Sequence, residues 1–312
     1  MLLAKLPGRE EEAEAAYREA IAAGVTVAWH NLGNVLVDQP GREHEAEAAY
    51  REAIAAGHSD GWLGLGNVLA AQPNRFDEAE AAYREAITAG HTDAWFNLGR
   101  LLVDHSGRED EAEAAYRQAI TAGDTHARFC LGRLLVDQPG REDEAEAAYR
   151  EAITAGDTTA WNDLGLLLVD QAGREDEAEA AYREAITAGD TYAWNNLGSL
   201  LARQAGREDE AEAAYREAIT AGDAGARINL GNLLFNQPGR EDEAEAAYRE
   251  AIDSGATGQV LEAAARGLAD LLARKGDGTG ARAAYDAAVG VRLERLGPAP
   301  TSRWRRMRRR RN

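Results

Sequence analysis

Apolar residues recur along this chain as pairs of helical stripes, and residues 92–123 form one such pair. The first stripe consists of Ala94, Trp95, Leu98, Leu101 and Leu102. The second has i, i+3, i+4, i+7, i+8 spacing and consists of Ala112, Ala115, Tyr116, Ala119 and Ile120. Each stripe is typical of an amphipathic helix, and the intervening His105-Ser106-Gly107 indicates a turn. Residues 92–123 are therefore predicted to form a helical hairpin.

This hairpin pattern repeats along the chain with a period of 33 residues. The period is marked by Tyr17, Tyr50, Tyr83, Tyr116, Tyr149, Tyr182, Tyr215 and Tyr248, and Tyr285 follows after 37 residues. A fixed period of this size indicates stacked repeats, each contacting only its neighbours, instead of one globular core. The sequence therefore predicts an all-α solenoid of antiparallel helical hairpins.

Glycine and threonine suggest where the helices begin, end and approach one another. Thr92 is a predicted N-cap of the first helix, and Gly123 is predicted to end the second. Gly99 lies inside the first helix, where glycine costs about 1 kcal/mol relative to alanine. The same glycine recurs as Gly33, Gly66, Gly132, Gly165, Gly198 and Gly231. Its recurrence predicts that the second helix packs unusually close at this point.

The repeat resembles the tetratricopeptide repeat, whose pattern is W-x2-L-G…A-x3-F…A. The matching residues are Trp95, Leu98, Gly99, Ala112, Tyr116 and Ala119, and the resemblance covers roughly residues 1–292. The spacing from Trp95 to Tyr116 is 21 residues, one more than in the family pattern. The short T-A-G-D link is also similar to that of Sel-one-like repeats. The resemblance implies a right-handed solenoid whose first helices line the concave surface.

The two ends of the chain depart from the pattern. We expect the repeat array to cover residues 1–296 and to begin within a repeat, because residues 2–8 match the end of a first helix. A missed upstream start or a truncation, self-association through the incomplete hairpin, and fraying are the three open explanations. A C-terminal cap is expected at about 256–296. Residues 297–312 are predicted to be a proline-containing linker and a disordered tail.

Charge is divided unevenly between the body and the tail. The net charge is −19, although residues 303–312 hold seven arginines and no acid, so residues 1–302 carry −26. The predicted tail residues are Arg303, Trp304, Arg305, Arg306, Arg308, Arg309, Arg310 and Arg311. Such a tail is attracted to nucleic acid, to anionic membranes or to the acidic body itself, whereas the body repels polyanions. A tail without function is the alternative.

Other features of the composition favour a bacterial cytoplasmic protein. Cys130 is the single cysteine, so the sequence offers no intramolecular disulfide framework. It contains no apolar run of about 18 residues and no signal peptide pattern. Arginine greatly outnumbers lysine, and alanine and glycine are abundant, as expected of a GC-rich genome.

The sequence shows no pattern typical of a catalytic, metal or cofactor site. The six histidines lack metal-ligand spacing. Acidic clusters such as Glu142-Asp143-Glu144 lie at predicted helix starts, where negative charge interacts favourably with the helix dipole. Cys130 has no neighbouring base, and the glycine-rich stretch 276–280 lacks the strand and lysine of a phosphate loop. We therefore predict no catalytic residues, no metal site and no cofactor, and expect that the protein is not an enzyme.

Variation between repeats concentrates on the first helix, while the second helix hardly changes. The variable slots lie three or four residues apart, on one helical face that the resemblance places on the concave side. The predicted partner-binding residues are His30, Asn34, Asp60, Asn67, Asp93, Phe96, Arg100, His126, Phe129, Arg133, Asn162, Tyr192, Asn195 and Asn232. Phe96, Arg100, Phe129 and Arg133 form the predicted centre of this surface. Neutral variation at exposed sites is the alternative.

Two further slots favour structural roles. Asparagine recurs two residues after the tryptophan or its replacement, as Asn31, Asn97, Asn196 and Asn229. We interpret these side chains as hydrogen-bonding to backbone between hairpins, in preference to binding a peptide carboxylate. Arg128 and Arg227 replace the tryptophan in two repeats, and their aliphatic stems can extend over the core.

These observations predict a non-enzymatic scaffold that binds a peptide or protein segment on its concave face. The alternative is an adaptor whose basic tail binds nucleic acid or an anionic membrane while the repeats recruit a partner. Self-association through the first hairpin is a further possibility for the partner.

Overall fold

The protein was analysed as a computed structural model, which describes residues 9–254 and 258–286. Those residues form helices and turns, with no strand among them. Several predictions fall outside the described residues: the half-helix at residues 2–8, the linker and arginine-rich tail at 297–312, and part of the C-terminal cap.

The described helices follow one another as hairpins. Their bounds are α1 (Glu10–Ala22), α2 (Ala28–Val37), α3 (Glu43–Ala55), α4 (Asp60–Ala70), α5 (Phe76–Thr88), α6 (Asp93–Val103), α7 (Glu109–Thr121), α8 (His126–Val136), α9 (Glu142–Thr154), α10 (Ala160–Val169), α11 (Glu175–Thr187), α12 (Ala193–Leu201), α13 (Glu208–Thr220), α14 (Ala224–Phe235), α15 (Glu241–Asp253) and α16 (Gly258–Arg274). Residues 278–286 are also helical. Even-numbered helices are the predicted first helices and odd-numbered ones the second helices. The predicted all-α solenoid of hairpins is confirmed.

The chain divides into two compact units between Ala160 and Trp161. Within each unit, a second helix packs against the first helices that precede and follow it, as α3 does with α2 and α4. Consecutive first helices also contact one another, as α4 does with α6 and α12 with α14. Among the described helices, no two consecutive second helices pack together to this extent. Neighbouring hairpins are therefore held most closely on the side of the first helices.

A buried tyrosine ring explains the glycine inside each first helix. Tyr50 is only 2% exposed and lies against Gly33 of its own hairpin and Gly64 of the next. A Cβ atom would lie 2.6 Å from the ring at Gly33 and closer still at Gly64. The predicted close approach is confirmed, and the tyrosine ring, wedged between consecutive first helices, is its cause.

Replacing Gly99 with alanine should destabilise the first unit, although alanine favours helix. The new Cβ atom would lie 2.7 Å from the buried ring of Tyr116. We expect a net loss of about 1–2 kcal/mol in the free energy of unfolding, because overpacking costs about 1–3 kcal/mol and helix propensity returns about 1 kcal/mol at most. Urea denaturation measures the change. Gly278→Ala is the control, since that helical position has open space around it. A Gly99→Ala protein as stable as the unaltered chain would contradict the packing argument.

The helix ends partly confirm the sequence prediction. Gly123 follows α7 with a φ of 98°, a conformation that favours glycine and ends the helix as predicted. Thr92 is the N-cap residue of α6 as predicted, but its side chain makes no capping hydrogen bond. The link aspartate supplies the cap in other hairpins: Asp124 accepts a hydrogen bond from the Ala127 amide at 2.9 Å, and Asp223 accepts one from the Gly225 amide at 2.7 Å.

Arginine clamps that the sequence did not predict join consecutive second helices. Arg141, just before α9, donates to Glu144 of its own helix at 2.9 Å and to Glu113 of α7 at 3.0 Å. The hydrogen bond from Arg141 lowers the pKa of Glu113 to about 2. Arg117 also donates to Glu113, as its i+4 spacing suggests. Equivalent clamps are made by Arg42, Arg75, Arg108, Arg207 and Arg240.

Candidate partner-binding face

All fourteen predicted partner-binding residues lie in the first helices or at their starts, and none is in the buried core. Half-buried members are His30, Phe96, Phe129, Asn162 and Asn195. Exposed members are Asn34, Asp60, Asn67, Asp93, Arg100, His126, Arg133, Tyr192 and Asn232. We refer to this surface as the first-helix face and describe it separately for each unit.

The first unit carries a cluster of rings on this face. The ring of His126 lies 5.8 Å from that of Phe96 and 5.2 Å from that of Phe129. The guanidinium of Arg133 lies 5.9 Å from the Phe129 ring centroid, within the range of a cation–π contact. His126, Phe96 and Phe129 are called the aromatic patch below. The structure thus brings together three of the four predicted central residues and adds a histidine between the phenylalanines.

Arg100 and Asp157 add charge to this part of the first-helix face. His126 Nδ1 donates to Asp157 Oδ2 at 2.6 Å, which fixes the orientation of the imidazole. Arg100 is exposed and lies close enough to Tyr83 for its charge to oppose the effect of burial on that hydroxyl. Burial still raises the pKa of Tyr83 to about 12, so the hydroxyl remains a hydrogen-bond donor. Arg133 therefore places positive charge beside the half-buried ring of Phe129, whereas Arg100 lies near the buried Tyr83.

The predicted asparagines Asn34, Asn67 and Asn232 also anchor the buried tyrosines. Their Oδ1 atoms accept hydrogen bonds from Tyr50, Tyr83 and Tyr248 at 2.8, 2.9 and 2.6 Å, respectively. These bonds tie the first-helix face to the tyrosine wedges, so the amide groups are held in fixed orientations. The Nδ2 atom of Asn34 also bonds to His30 Nε2 at 3.0 Å, so a partner would meet the free nitrogen side only at Asn67 and Asn232 among the described residues.

Asparagine pairs connect neighbouring first helices in the second unit. Asn196 Nδ2 donates to Asn162 Oδ1, and Asn229 Nδ2 donates to Asn195 Oδ1, each at 2.9 Å. The expected link between hairpins exists, but the backbone partner predicted for Asn196 and Asn229 is wrong, because each bonds to a side chain.

The remaining polar groups show structural contacts. Burial raises the pKa of the Cys130 thiol to about 11, which keeps it protonated and weakly nucleophilic. His58 and His91 bond to Thr26 and Ser59 of the preceding link at 2.9 and 3.0 Å. Arg128 is half-buried, with its guanidinium 3.8 Å from Glu151. Among the described residues, no group of three or more His, Cys, Asp or Glu side chains is placed to hold a metal ion.

The repeated hairpins and their tyrosine wedges define a helical repeat protein. A family model described as tetratricopeptide repeat matches residues 30–90, 70–127, 131–193, 196–259 and 239–299. These matches cover most of the sequence, and the chain belongs to the tetratricopeptide repeat family. A comparison with curated proteins found no match.

Two solved structures share the fold. One is a protective antigen of uropathogenic Escherichia coli strains with an SLR fold, with a TM-score of 0.62 and 20% identity over 88% of this chain. This chain covers 63% of the antigen's length. The other is a Sel1 repeat protein from Oxalobacter formigenes, with a TM-score of 0.52 and 23% identity over 71% of this chain and 98% of its own. In the described part of this chain, no helix is long and apolar enough to cross a membrane.

Proposed function

We propose that the chain is a non-enzymatic scaffold that binds a peptide or protein segment on the first-helix face, with the aromatic patch at the centre of contact in the first unit. Tetratricopeptide repeats generally serve protein–protein interaction, so the family supports the class of function. A solenoid curves towards the side on which its helices pack more closely. The closer packing of consecutive first helices therefore supports the predicted location of the partner-binding surface.

The observation that carries this proposal is the coincidence of variable and aromatic positions. Second helices keep nearly the same sequence in every repeat, because the tyrosines and arginine clamps constrain them. The first-helix face varies and gathers Phe96, His126 and Phe129 beside Arg133, with Arg100 one helical turn after Phe96 in α6. Aromatic and arginine side chains are enriched among the residues that contribute most to protein interfaces. A structural framework alone does not require half-exposed phenylalanines at these positions.

Charge reversal tests the proposed site. Peptides selected from a display library for binding to the chain serve as probes, and their affinities are measured by isothermal titration. We expect the Arg100→Glu, Arg133→Glu double variant to bind about tenfold more weakly or worse, because it reverses the charge beside Phe129 and the charge one helical turn after Phe96.

The matched control is Arg203→Glu, Arg282→Glu, which changes net charge equally at exposed positions of the second unit. Circular dichroism establishes that both double variants remain helical. Unchanged affinity in the first variant, or an equal loss in both, would count against the patch.

A further inference from the structure

The second unit contains a cleft that shares no residue with the aromatic patch. It has a volume of about 730 Å³ and opens between α14 and the start of α13. Its walls include Asn229, Asn232 and Asn236 on one side and Glu208 and Asp209 on the other. Only Asn232 was among the predicted partner-binding residues, so most of this lining is new.

The three asparagines present alternating hydrogen-bonding groups. Asn229 uses its Nδ2 to bond Asn195 at 2.9 Å, and Asn236 uses its Nδ2 to bond the Asn232 carbonyl at 2.9 Å. Asn232 instead uses its Oδ1, which accepts from Tyr248 at 2.6 Å. An acceptor, a donor and an acceptor therefore remain along one face of α14 without a partner among the described residues. An extended peptide backbone offers the complementary donors and acceptors.

Comparison with the neighbouring hairpins shows what the carboxylates of this cleft lack. In the preceding hairpin, a smaller cleft of about 370 Å³ is lined by Glu175, Asp176 and the basic Arg203. In the following hairpin, Lys275 lies 2.6 Å from Asp242. The middle cleft has Asn236 at the position equivalent to Arg203, and no basic side chain lines it in the described part of the chain.

We propose that this cleft binds the chain's own arginine-rich segment, residues 303–311, in an intramolecular contact. Asp209 and Glu208 would receive an arginine side chain, and the asparagine row would hold the backbone beside it. Guanidinium groups pair strongly with carboxylates, and their charge complements that of the acidic body. While it occupies the cleft, the segment could not bind nucleic acid or another polyanion. The contact would therefore regulate binding by the tail.

The chain before this segment is long enough to reach the cleft. The predicted cap ends at residue 296, so the predicted linker 297–302 precedes Arg303 and can span about 20 Å when extended. The cleft lies two hairpins before the helical stretch 278–286, and packed helices are about 8–10 Å apart. The extended linker and the first residues of the segment together therefore span this distance.

Photocrosslinking of the 312-residue chain tests the contact. Trp304 is replaced by p-benzoylphenylalanine, the protein is irradiated when dilute, and monomer-mass products are digested with trypsin. We expect a cross-link to the tryptic peptide 228–240, which carries the asparagine row. Asp209→Arg should lower its yield about tenfold, since it replaces an attractive charge with a repulsive one.

Asp176→Arg is the matched control, because it makes the same charge change in the neighbouring cleft. Its cross-link yield at 228–240 should stay within about twofold of the unaltered chain. Products at dimer mass would show binding by a second copy and would overturn the intramolecular proposal. Equal loss in both variants, or no product on 228–240, would overturn the assignment of the cleft. Thermal unfolding by circular dichroism checks that both variants fold.

Discussion

Replacing Tyr50 with alanine is expected to lower the free energy of unfolding by about 3–5 kcal/mol. The ring is buried between Gly33 and Gly64, which belong to consecutive hairpins. Its loss therefore leaves a cavity at the interface that joins these hairpins. The stability of a repeat array depends on such interfaces between neighbours. Urea denaturation followed by circular dichroism should therefore show a lower midpoint, or an early transition in which hairpins on one side of the cavity unfold first.

Tyr50→Phe separates the contribution of the ring from that of the hydroxyl. It removes only the 2.8 Å hydrogen bond to Asn34, for which we expect a loss of about 1 kcal/mol. Equal effects of the alanine and phenylalanine substitutions would refute the proposed role of the ring as the wedge between hairpins.

Acidification is expected to destabilise both units strongly as pH falls from about 4.5 towards 2. Arg141 lowers the folded-state pKa of Glu113 from 4.5 to about 2, and Arg42 does the same for Glu14. A depressed carboxyl pKa stabilises the folded state above pH 4.5, and this contribution is lost as the pH falls towards 2. Each clamp carboxylate should contribute about 1–2 kcal/mol at neutral pH through its hydrogen bonds to arginine.

Urea denaturation of the chain and of Glu113→Gln, at several pH values from 7 down to 3, measures this contribution. The variant should be less stable at pH 7 and lose less stability on acidification. Glu85→Gln is the matched control, since Glu85 is exposed on α5 and has no ion pair among the described residues. The clamp account fails if Glu113→Gln and Glu85→Gln show the same dependence on pH.

The fold could be predicted from sequence because its determinants lie at fixed distances along the chain. The 33-residue spacing of the tyrosines gives the repeat, and the recurring Gly99 position anticipates the close contact with Tyr116. The clamp between Arg141 and Glu113 was missed because these residues are 28 positions apart, and only the packing of the hairpins brings them together. The arginine that follows each turn glycine was the available signal.

The candidate site could be predicted only in outline. Periodicity placed Phe96, Phe129 and Arg133 on one helical face, but it did not show that His126 lies between the two phenylalanine rings. That contact depends on how the start of α8 meets α6. The missing capping bond at Thr92 has a similar origin, because the local pattern did not reveal that Asp124 and Asp223 bond the first amides of α8 and α14.

Hydrogen–deuterium exchange of the chain with a saturating selected peptide tests the central claim most directly, because it reports where a partner sits. The proposed function predicts slower exchange in α6 and α8, which carry Phe96 and Phe129. Exchange in the second helices α5 and α7 should stay unchanged except where they contact α6 and α8. Protection concentrated on the second helices, with α6 and α8 unaffected, would contradict the assignment of partner binding to the first-helix face.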